Sequence, residues 1–360
     1  MTTAPTLPRW SLAVPPFALL VLLISYGRDL GPVLIALVCV GLGVAVTAAV
    51  HHAEVVAHRV GEPFGTLILA IAVTVIEVAL IVTLMVSGGE KAASLARDTV
   101  FAAIMITTNG IVGLALLVGS LRHRVQEFRA HASGGALAVI TAMVTLSLVL
   151  PTFTLSTAGP TYSGSQLAFA GVASLVLYGV FVFVQTVRHR DYFLPKTSLT
   201  EDDHAEAPTS RTAISSLVLL LACLVAVVGL AKTVSPTLEA AVESAGAPVS
   251  FVGVVIALLV LLPETVAAVR ASLRNRLQVS LNLALGSALA SIGLTIPAIA
   301  IASIWLTGPL TLGLGPKELV LLVLTVLVSM LTLVTGRATL LQGTVHLTLF
   351  SAFLFLAVTP

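Results

Sequence analysis

Long apolar runs separated by short polar segments make up most of this chain. Each run is close to the length of about 20 residues that a helix needs to cross roughly 30 Å of hydrocarbon. The pattern therefore predicts an all-α integral membrane protein with about eleven transmembrane helices. These are expected near residues 11–27, 31–50, 64–86, 98–120, 134–156, 166–187, 212–232, 249–269, 278–306, 317–335 and 340–358.

The composition agrees with a membrane protein. Of 360 residues, 58% are hydrophobic and only 9% are charged, and the mean hydropathy is +1.09. This leaves too little polar surface to cover a globule in water. No small-residue cleavage site follows the first run, so we expect it to be an anchor and not a removed signal peptide. Cys39 and Cys223 each lie alone in an apolar run, so no disulfide or thiolate metal site is expected.

The distribution of Lys and Arg predicts the orientation in the membrane. Thirteen of these residues fall in the N-terminal tail and the even-numbered loops, against five on the other side. Because positively charged loops stay in the cytoplasm, we expect a cytoplasmic N-terminus. An odd number of spans then places the C-terminus outside.

The one long polar interruption is residues 188–211, and, setting aside the first helix, five predicted spans precede it and five follow it. We therefore expect an N-terminal transmembrane helix (1–30), a first five-helix repeat (31–187), a cytoplasmic acidic linker (188–211) and a second five-helix repeat (212–360). A repeat with an odd number of spans enters the membrane upside down the second time. Inverted repeats of this kind are a transporter architecture, with binding near the midplane.

Glu77 and Glu264 are predicted to be the only acidic or basic residues deep within the apolar runs, in matching places of the two halves. An ionised carboxylate in hydrocarbon is costly, so such acids face a partner, a cavity or a cation and mark ion or proton paths. A proton and a cation would compete for these acids, because burial favours the protonated form and a bound cation favours the ionised one. The pair predicts a cation/proton antiporter.

A helix with amide, hydroxyl and small residues follows each acidic helix. Such side chains either bind a cation or simply form hydrogen bonds across helices. The glycines there indicate either local unwinding, which exposes carbonyls to an ion, or close helix packing. The candidates are Thr107, Thr108, Asn109, Gly110 and Gly113 in the first half, and Asn282, Gly286, Ser287, Ser291, Gly293 and Pro297 in the second.

Several segments resemble the calcium/cation antiporter superfamily, in particular its bacterial cation/proton exchangers of ChaA type. In the second half these are residues 262–269 (LPETVAAV) and 274–292 (RNRLQVSLNLALGSALASI). In the first half they are residues 61–66 (GEPFGT), 73–81 (VTVIEVALI) and 119–128 (GSLRHRVQEF).

The resemblance implies that Glu77 and Glu264 bind the cation and accept protons in alternation, and that the acidic linker is cytoplasmic. It also implies a multi-pass protein of the bacterial inner membrane that exports Ca²⁺, or Na⁺ or K⁺, by alternating access. Many relatives carry an Asn or a hydroxyl residue three positions before each glutamate; this chain has Thr74 in the first half but Leu261 in the second. The predicted cation and proton site comprises Glu77 and Glu264 as metal ligands with Thr74, Asn109, Asn282, Gly286, Ser287 and Ser291.

Two other classes of protein use buried carboxylates, namely intramembrane enzymes and cation channels. The spans lack the Asp pairs or His-Glu-x-x-His sets typical of such enzymes, and channels are usually symmetric oligomers. We therefore expect no enzyme activity, no cofactor and no nucleic-acid partner, only small cations, protons and the bilayer. The stretch with His51, His52, Glu54 and His58 is interpreted as a solvated helix, with metal or pH sensing as the alternative, and the acidic run 201–206 as a solvated charge run.

Overall fold

The computed structural model describes residues 7–28, 30–61, 64–88, 93–193, 208–244, 246–248, 250–305 and 310–359. The acidic run 201–206 lies outside these residues. The described α-helices are α1 (Arg9–Ser25), α2 (Pro32–Val60), α3 (Phe64–Gly88), α4 (Leu95–Met105), α5 (Val112–His123), α6 (Ala130–Val144), α7 (Gly164–Phe183), α8 (Arg190–Phe193), α9 (Ser210–Ser244), α10 (Phe251–Val260), α11 (Leu262–Leu273), α12 (Leu277–Ala302), α13 (Pro316–Val334) and α14 (Leu340–Val358).

Short π-helical segments continue three of these helices. Ile106–Ile111 joins α4 to α5, Thr145–Val149 follows α6 and Val184–Arg188 follows α7. Counting these continuous stretches, the described residues contain eight helices that are long and apolar enough to cross a membrane, or nine if the bent pair α10 and α11 is one span. Two shorter apolar stretches are also helical, namely α1 (Arg9–Ser25) and the part of α3 from Ala70 to Val86. The prediction of a mostly helical, multi-pass membrane protein is confirmed.

Helix ends follow local sequence rules. Pro32 and Pro316 begin α2 and α13, where the missing backbone N–H of proline costs no hydrogen bond. Capping boxes open α7 with Ser163 and Gln166, and α14 with Thr339 and Gln342. These caps provide hydrogen bonds to the backbone N–H groups at the helix starts, which the apolar interior of a membrane cannot provide.

The chain forms two compact units, residues 1–88 with 200–245 and residues 89–199 with 246–360. In the first unit, α2 packs along α9, and α1 and α3 each contact both helices. The side chain of Leu22 on α1 fills the space beside Gly229 of α9, where an added Cβ would lie 2.5 Å from Leu22 Cδ2. The Arg59 guanidinium at the end of α2 donates to Ser210 Oγ at the start of α9, at 2.9 Å.

The second unit holds the other helices. Its centre is formed by α12, which packs against α6, α7 and α11, while α5 packs along α14 and α4 along α10. The π-helical segment Ile106–Ile111 contacts α4, α5, α11, α12, α13 and α14 and is wholly buried. This segment therefore lies where six helices of the unit meet.

The two units do not coincide with the two predicted repeats, since each takes segments from both halves of the chain. The first helices of the predicted repeats, α2 and α9, lie in one unit. The acidic helix of the first half, α3, belongs to the first unit, whereas α10 and α11 of the second half belong to the second. The inverted-repeat arrangement stays a prediction.

The all-α prediction missed a small β element in the second unit. The strands β1 (Gln126–Glu127) and β2 (Arg337–Ala338) pair antiparallel, and Arg337 forms an ion pair with Glu127 at 3.1 Å. Both strands lie in short connections between helices, where two residues carry too little sequence signal to predict pairing.

The helix that contains the second predicted span is longer than that span. Instead of ending near residue 50, α2 continues to Val60, so the stretch containing the histidines is part of a long helix. Glu54 and His58 are exposed, as a solvated helix requires, but His52 is fully buried and its Nε2 lies 2.9 Å from the carbonyl oxygen of Ser11. The solvated interpretation was thus wrong for His52, which attaches α1 to α2.

Candidate functional site

Glu77 lies on α3 in the first unit, inside an apolar helix as predicted. Its side chain is 5% exposed, and Thr74, one turn earlier on the same helix, is 6% exposed. Residues three apart in a helix are neighbours on one face. The predicted hydroxyl and carboxyl groups of the first half are therefore buried side by side.

Glu264 lies in the second unit at a sharp break that the sequence analysis did not predict. The expected continuous span 249–269 is divided at Leu261 into α10 and α11, whose axes differ by 54°. Pro263 explains the break, because proline cannot donate to the preceding turn and its ring clashes with the carbonyl four residues back. Glu264 consequently falls in the first turn of α11, where the positive end of the helix dipole favours a carboxylate.

The carbonyl oxygen of Leu261 accepts two hydrogen bonds from Thr265, one from the backbone N–H at 2.9 Å and one from the hydroxyl at 2.7 Å. The Leu261 side chain is buried and offers no oxygen. Leu261 therefore supplies no side-chain oxygen three positions before Glu264.

Asn109 sits in the π-helical segment Ile106–Ile111 and is fully buried. Its amide nitrogen donates to Thr325 Oγ1 at 2.9 Å, and its amide oxygen lies 3.1 Å from His346 Nδ1. The Thr107 and Thr108 hydroxyls instead donate to backbone carbonyls one turn earlier. π-helical turns inside α-helices occur often at functional sites. The local geometry therefore supports Asn109 and its neighbours as candidate functional residues.

The four predicted residues of the second half all lie on α12, which continues without a break from Leu277 to Ala302. Asn282 donates to the carbonyl oxygen of Phe193 at 2.7 Å and accepts from Gln278 at 2.8 Å. Ser291 is buried, and Gly286 and Ser287 are partly exposed. Because α12 and the segment containing Asn109 both contact α11, the second unit packs together the elements that carry Glu264, Asn109 and these four residues.

The glycines of the polar helices serve close packing in three of four positions. A Cβ at Gly113 would lie 2.9 Å from His346 Cβ, one at Gly293 would lie 2.5 Å from Tyr178 Cβ, and one at Gly110 would touch the Phe350 ring. A Cβ added at Gly286 would meet no atom of another part of the protein within 4 Å. Of the two alternatives, local unwinding is absent from α12, which is continuous, and the chain breaks instead beside Glu264.

His346 is a buried ionisable residue that the sequence analysis overlooked. It lies within α14, is 1% exposed, and its Nε2 is 3.1 Å from Thr332 Oγ1. The expectation that Glu77 and Glu264 were the only such residues was therefore wrong. The histidine is visible in the sequence inside an apolar run. A search for formally charged residues misses it, because histidine is counted as neutral at pH 7.

Asp98 is a partly buried acid that was not predicted, with a side chain that is 12% exposed. It lies on α4 and forms an ion pair with Arg97 at 2.7 Å, and Ser94 Oγ donates to it at 2.8 Å. Asp98 lines a cleft at the ends of α4, α10, α13 and α14, together with Lys317 and Glu318, whose charged atoms lie 3.7 Å apart. Each of the two acids at this cleft, Asp98 and Glu318, therefore has a basic side chain beside it.

Within the described part of the chain, no three His, Cys, Asp or Glu side chains come together as candidate metal ligands. This includes the histidines at the end of α2, so the metal-sensing alternative there gains no support.

The profile of the sodium/calcium exchanger proteins matches residues 30–187 and 215–359, and the chain therefore belongs to this family. The resemblance to calcium/cation antiporters of ChaA type is confirmed, which makes the chain a secondary transporter and not an enzyme.

Two curated relatives align along nearly the whole chain. The putative ionic transporter y4hA of Sinorhizobium fredii is 48% identical over 98% of this chain and 97% of its own length. The sodium-potassium/proton antiporter ChaA of Escherichia coli is 35% identical over 96% of this chain and 94% of its own.

Solved structures share the fold. The H⁺/Ca²⁺ exchanger CAX superposes with a TM-score of 0.73 at 16% identity, covering 96% of this chain and 87% of that one. Native YfkE superposes with a TM-score of 0.71 at 19% identity, covering 98% and 99%. At these identities the likeness concerns the fold alone.

Proposed function

We propose that the chain is a cation/proton antiporter that exports Ca²⁺, Na⁺ or K⁺ in exchange for protons by alternating access. The observation that carries the proposal is the placement of an acid in each half of an exchanger-family chain: Glu77 is buried in α3, and Glu264 follows a helix break. Helix breaks beside ion-binding groups are a recurring feature of transporters. In this proposal, each carboxylate binds either a proton or the cation.

The membrane arrangement is part of the same proposal. We propose that α1 and α3 also span, giving eleven spans as an N-terminal helix and two inverted five-helix repeats. The N-terminus lies in the cytoplasm and the C-terminus outside, in a bacterial inner membrane. The positions of Lys and Arg in the sequence support this orientation.

The remaining predicted ligands are Thr74, Asn109, Asn282, Gly286, Ser287 and Ser291, and their role stays a prediction. Ca²⁺ takes about 6–8 oxygen ligands. The side chain of Leu261 supplies none beside Glu264, and Asn282 and Asn109 already form hydrogen bonds within the protein. This shortage of free side-chain oxygens supports Na⁺ or K⁺ beside Ca²⁺ as the exported ion, as does the printed name of the Escherichia coli relative.

Exchange is tested first in everted membrane vesicles with an acid interior and a pH-sensitive dye. Adding the transported cation outside is expected to raise the internal pH, because protons leave as the cation enters. Separate additions of Ca²⁺, Na⁺ and K⁺ identify the ion. Cation flux that persists without a proton gradient and moves no protons would instead support the channel alternative.

Replacing Pro263 with Ala is expected to lower the exchange rate several-fold while leaving insertion intact. Alanine restores a backbone donor and removes the clash that bends the helix at Leu261, so Glu264 would be reoriented. Dye-monitored exchange, normalised to the amount of inserted protein, measures the effect. Pro316→Ala, at the unbent start of α13, is the matched control. Equal exchange by both variants would show that the bend is dispensable.

A further inference from the structure

The second unit contains a continuous chain of buried hydrogen-bonding side chains centred on His346. It joins the π-helical segment containing Asn109 to α13 and α14, and each member is at most 3% exposed. The members, in order, are Thr332, His346, Asn109, Thr325 and Met105. Buried polar networks need every donor matched with an acceptor, so the direction of each bond can be worked out.

The direction follows from the amide of Asn109. Its nitrogen donates to Thr325 Oγ1 at 2.9 Å, so its oxygen is the atom that faces His346 Nδ1 at 3.1 Å. An amide oxygen only accepts, and therefore Nδ1 carries the proton. In the neutral imidazole Nε2 is then an acceptor, and the Thr332 hydroxyl donates to it at 3.1 Å.

The same contacts fix the position of the π-helical segment. Gly113, in the first turn of α5 directly after the π-helical segment, packs against His346 Cβ. His346 thus holds the side chain of Asn109 within the segment and packs against the turn that follows it. That segment contacts α11, the helix that begins beside Glu264.

We propose that His346 is a positioning residue for cation binding: its Nδ1–H fixes the Asn109 amide and, through it, the geometry of the π-helical segment beside α11. The inference rests on the proposed exchange function and adds a residue to it. His346 acts through Asn109 and remains neutral, because its neighbours in the network are uncharged groups and an isolated charge in a buried site is costly.

Two substitutions of His346 separate positioning from simple packing. In His346→Asn the amide nitrogen lies near the place of Nδ1 and can still donate to Asn109, so KM for the cation should stay near that of the wild type. In His346→Gln the amide lies near the place of Nε2, and the Asn109 oxygen loses its donor. We expect KM to rise about tenfold, the factor that follows from leaving a buried polar group unpaired.

Thr344→Val is the matched control, because it removes a hydroxyl from the exposed side of α14 that donates only to the Leu340 carbonyl. KM and the maximal exchange rate are measured for each variant in vesicles, and Tm is measured for the purified full chain. A lower Tm with unchanged KM in His346→Gln would overturn the positioning role. If His346→Gln is not recovered folded, Thr325→Val tests the other side of the same amide: a raised KM supports the proposal and an unchanged KM overturns it.

The link to Asn109 is tested by combining substitutions. If His346 acts through Asn109, the double variant Asn109→Ala/His346→Gln should show the same KM as Asn109→Ala alone. A KM raised by the product of the two single effects would contradict the proposed link. Wild-type protein that exchanges no cation for protons would overturn the proposed function, and this inference with it; normal wild-type exchange with unaltered variants overturns the inference alone.

Discussion

Replacing Glu264 with glutamine is expected to abolish cation/proton exchange while the protein remains folded and inserted. Glutamine has nearly the same shape, but it releases no proton in the relevant pH range and carries no charge to pair with a cation. Glu264 is half-buried. Removing one partner of a buried charge pair costs about 3–5 kcal/mol, and the lower end of that range, which suits a half-buried site, corresponds to a loss of roughly a hundredfold. The rate is measured from the dye response in everted vesicles.

Glu243→Gln is the matched control, since Glu243 is exposed near the end of α9. It should exchange like the wild type. Glu77→Gln should fail as completely as Glu264→Gln, because antiport through two carboxylates requires both to change protonation. Wild-type exchange by either folded variant would contradict the two-carboxylate mechanism and return the carboxylates to a structural role.

The sequence predicted the helical membrane fold well because the dominant signal is local. Each predicted span overlaps a helix or a continuous helical stretch, since a run of apolar residues in a bilayer has few alternatives to a helix. The helix α2 extends past the predicted span to Val60, because polar residues such as His52 and Glu54 can continue a helix beyond an apolar run.

The geometry around the candidate site was less predictable. Pro263 was visible in the sequence, but a proline in a transmembrane helix produces anything from a slight kink to a complete break, depending on packing. The π-helical segment at Ile106–Ile111 and the partners of Asn109 depend on α13 and α14, which lie more than 200 residues away in sequence. Contacts at such separation leave no periodic pattern in a single sequence.

The glycines show the same limit. The sequence alone left unwinding and close packing as equal alternatives at Gly113 and Gly293, and the structure assigns both to packing against specific neighbours. The sequence did not single out Gly343, although a Cβ added there would approach a backbone atom more closely than one added at Gly113 or Gly293. Which glycine meets which helix is a property of the folded unit.

Replacing Gly343 with alanine is expected to destabilise the second unit and reduce exchange together. A Cβ at this position would lie 2.5 Å from the backbone nitrogen of Leu117 and 2.9 Å from its Cα, so α14 would have to move away from α5. Overpacking typically costs about 1–3 kcal/mol, and a backbone obstacle places this change at the upper end. Because His346 lies one turn later on α14, its bond to Asn109 should be strained as well.

The measurement is Tm of the detergent-purified full chain beside the exchange rate in vesicles. Gly179→Ala provides the control: Gly179 lies on an exposed part of α7, where an added Cβ meets no atom within 4 Å. A fall in Tm confined to Gly343→Ala would show that the α5–α14 contact supports the unit. A normal Tm with reduced exchange would show that the contact chiefly sets the position of His346, whereas wild-type values for both would show that the two helices are not closely packed at this point.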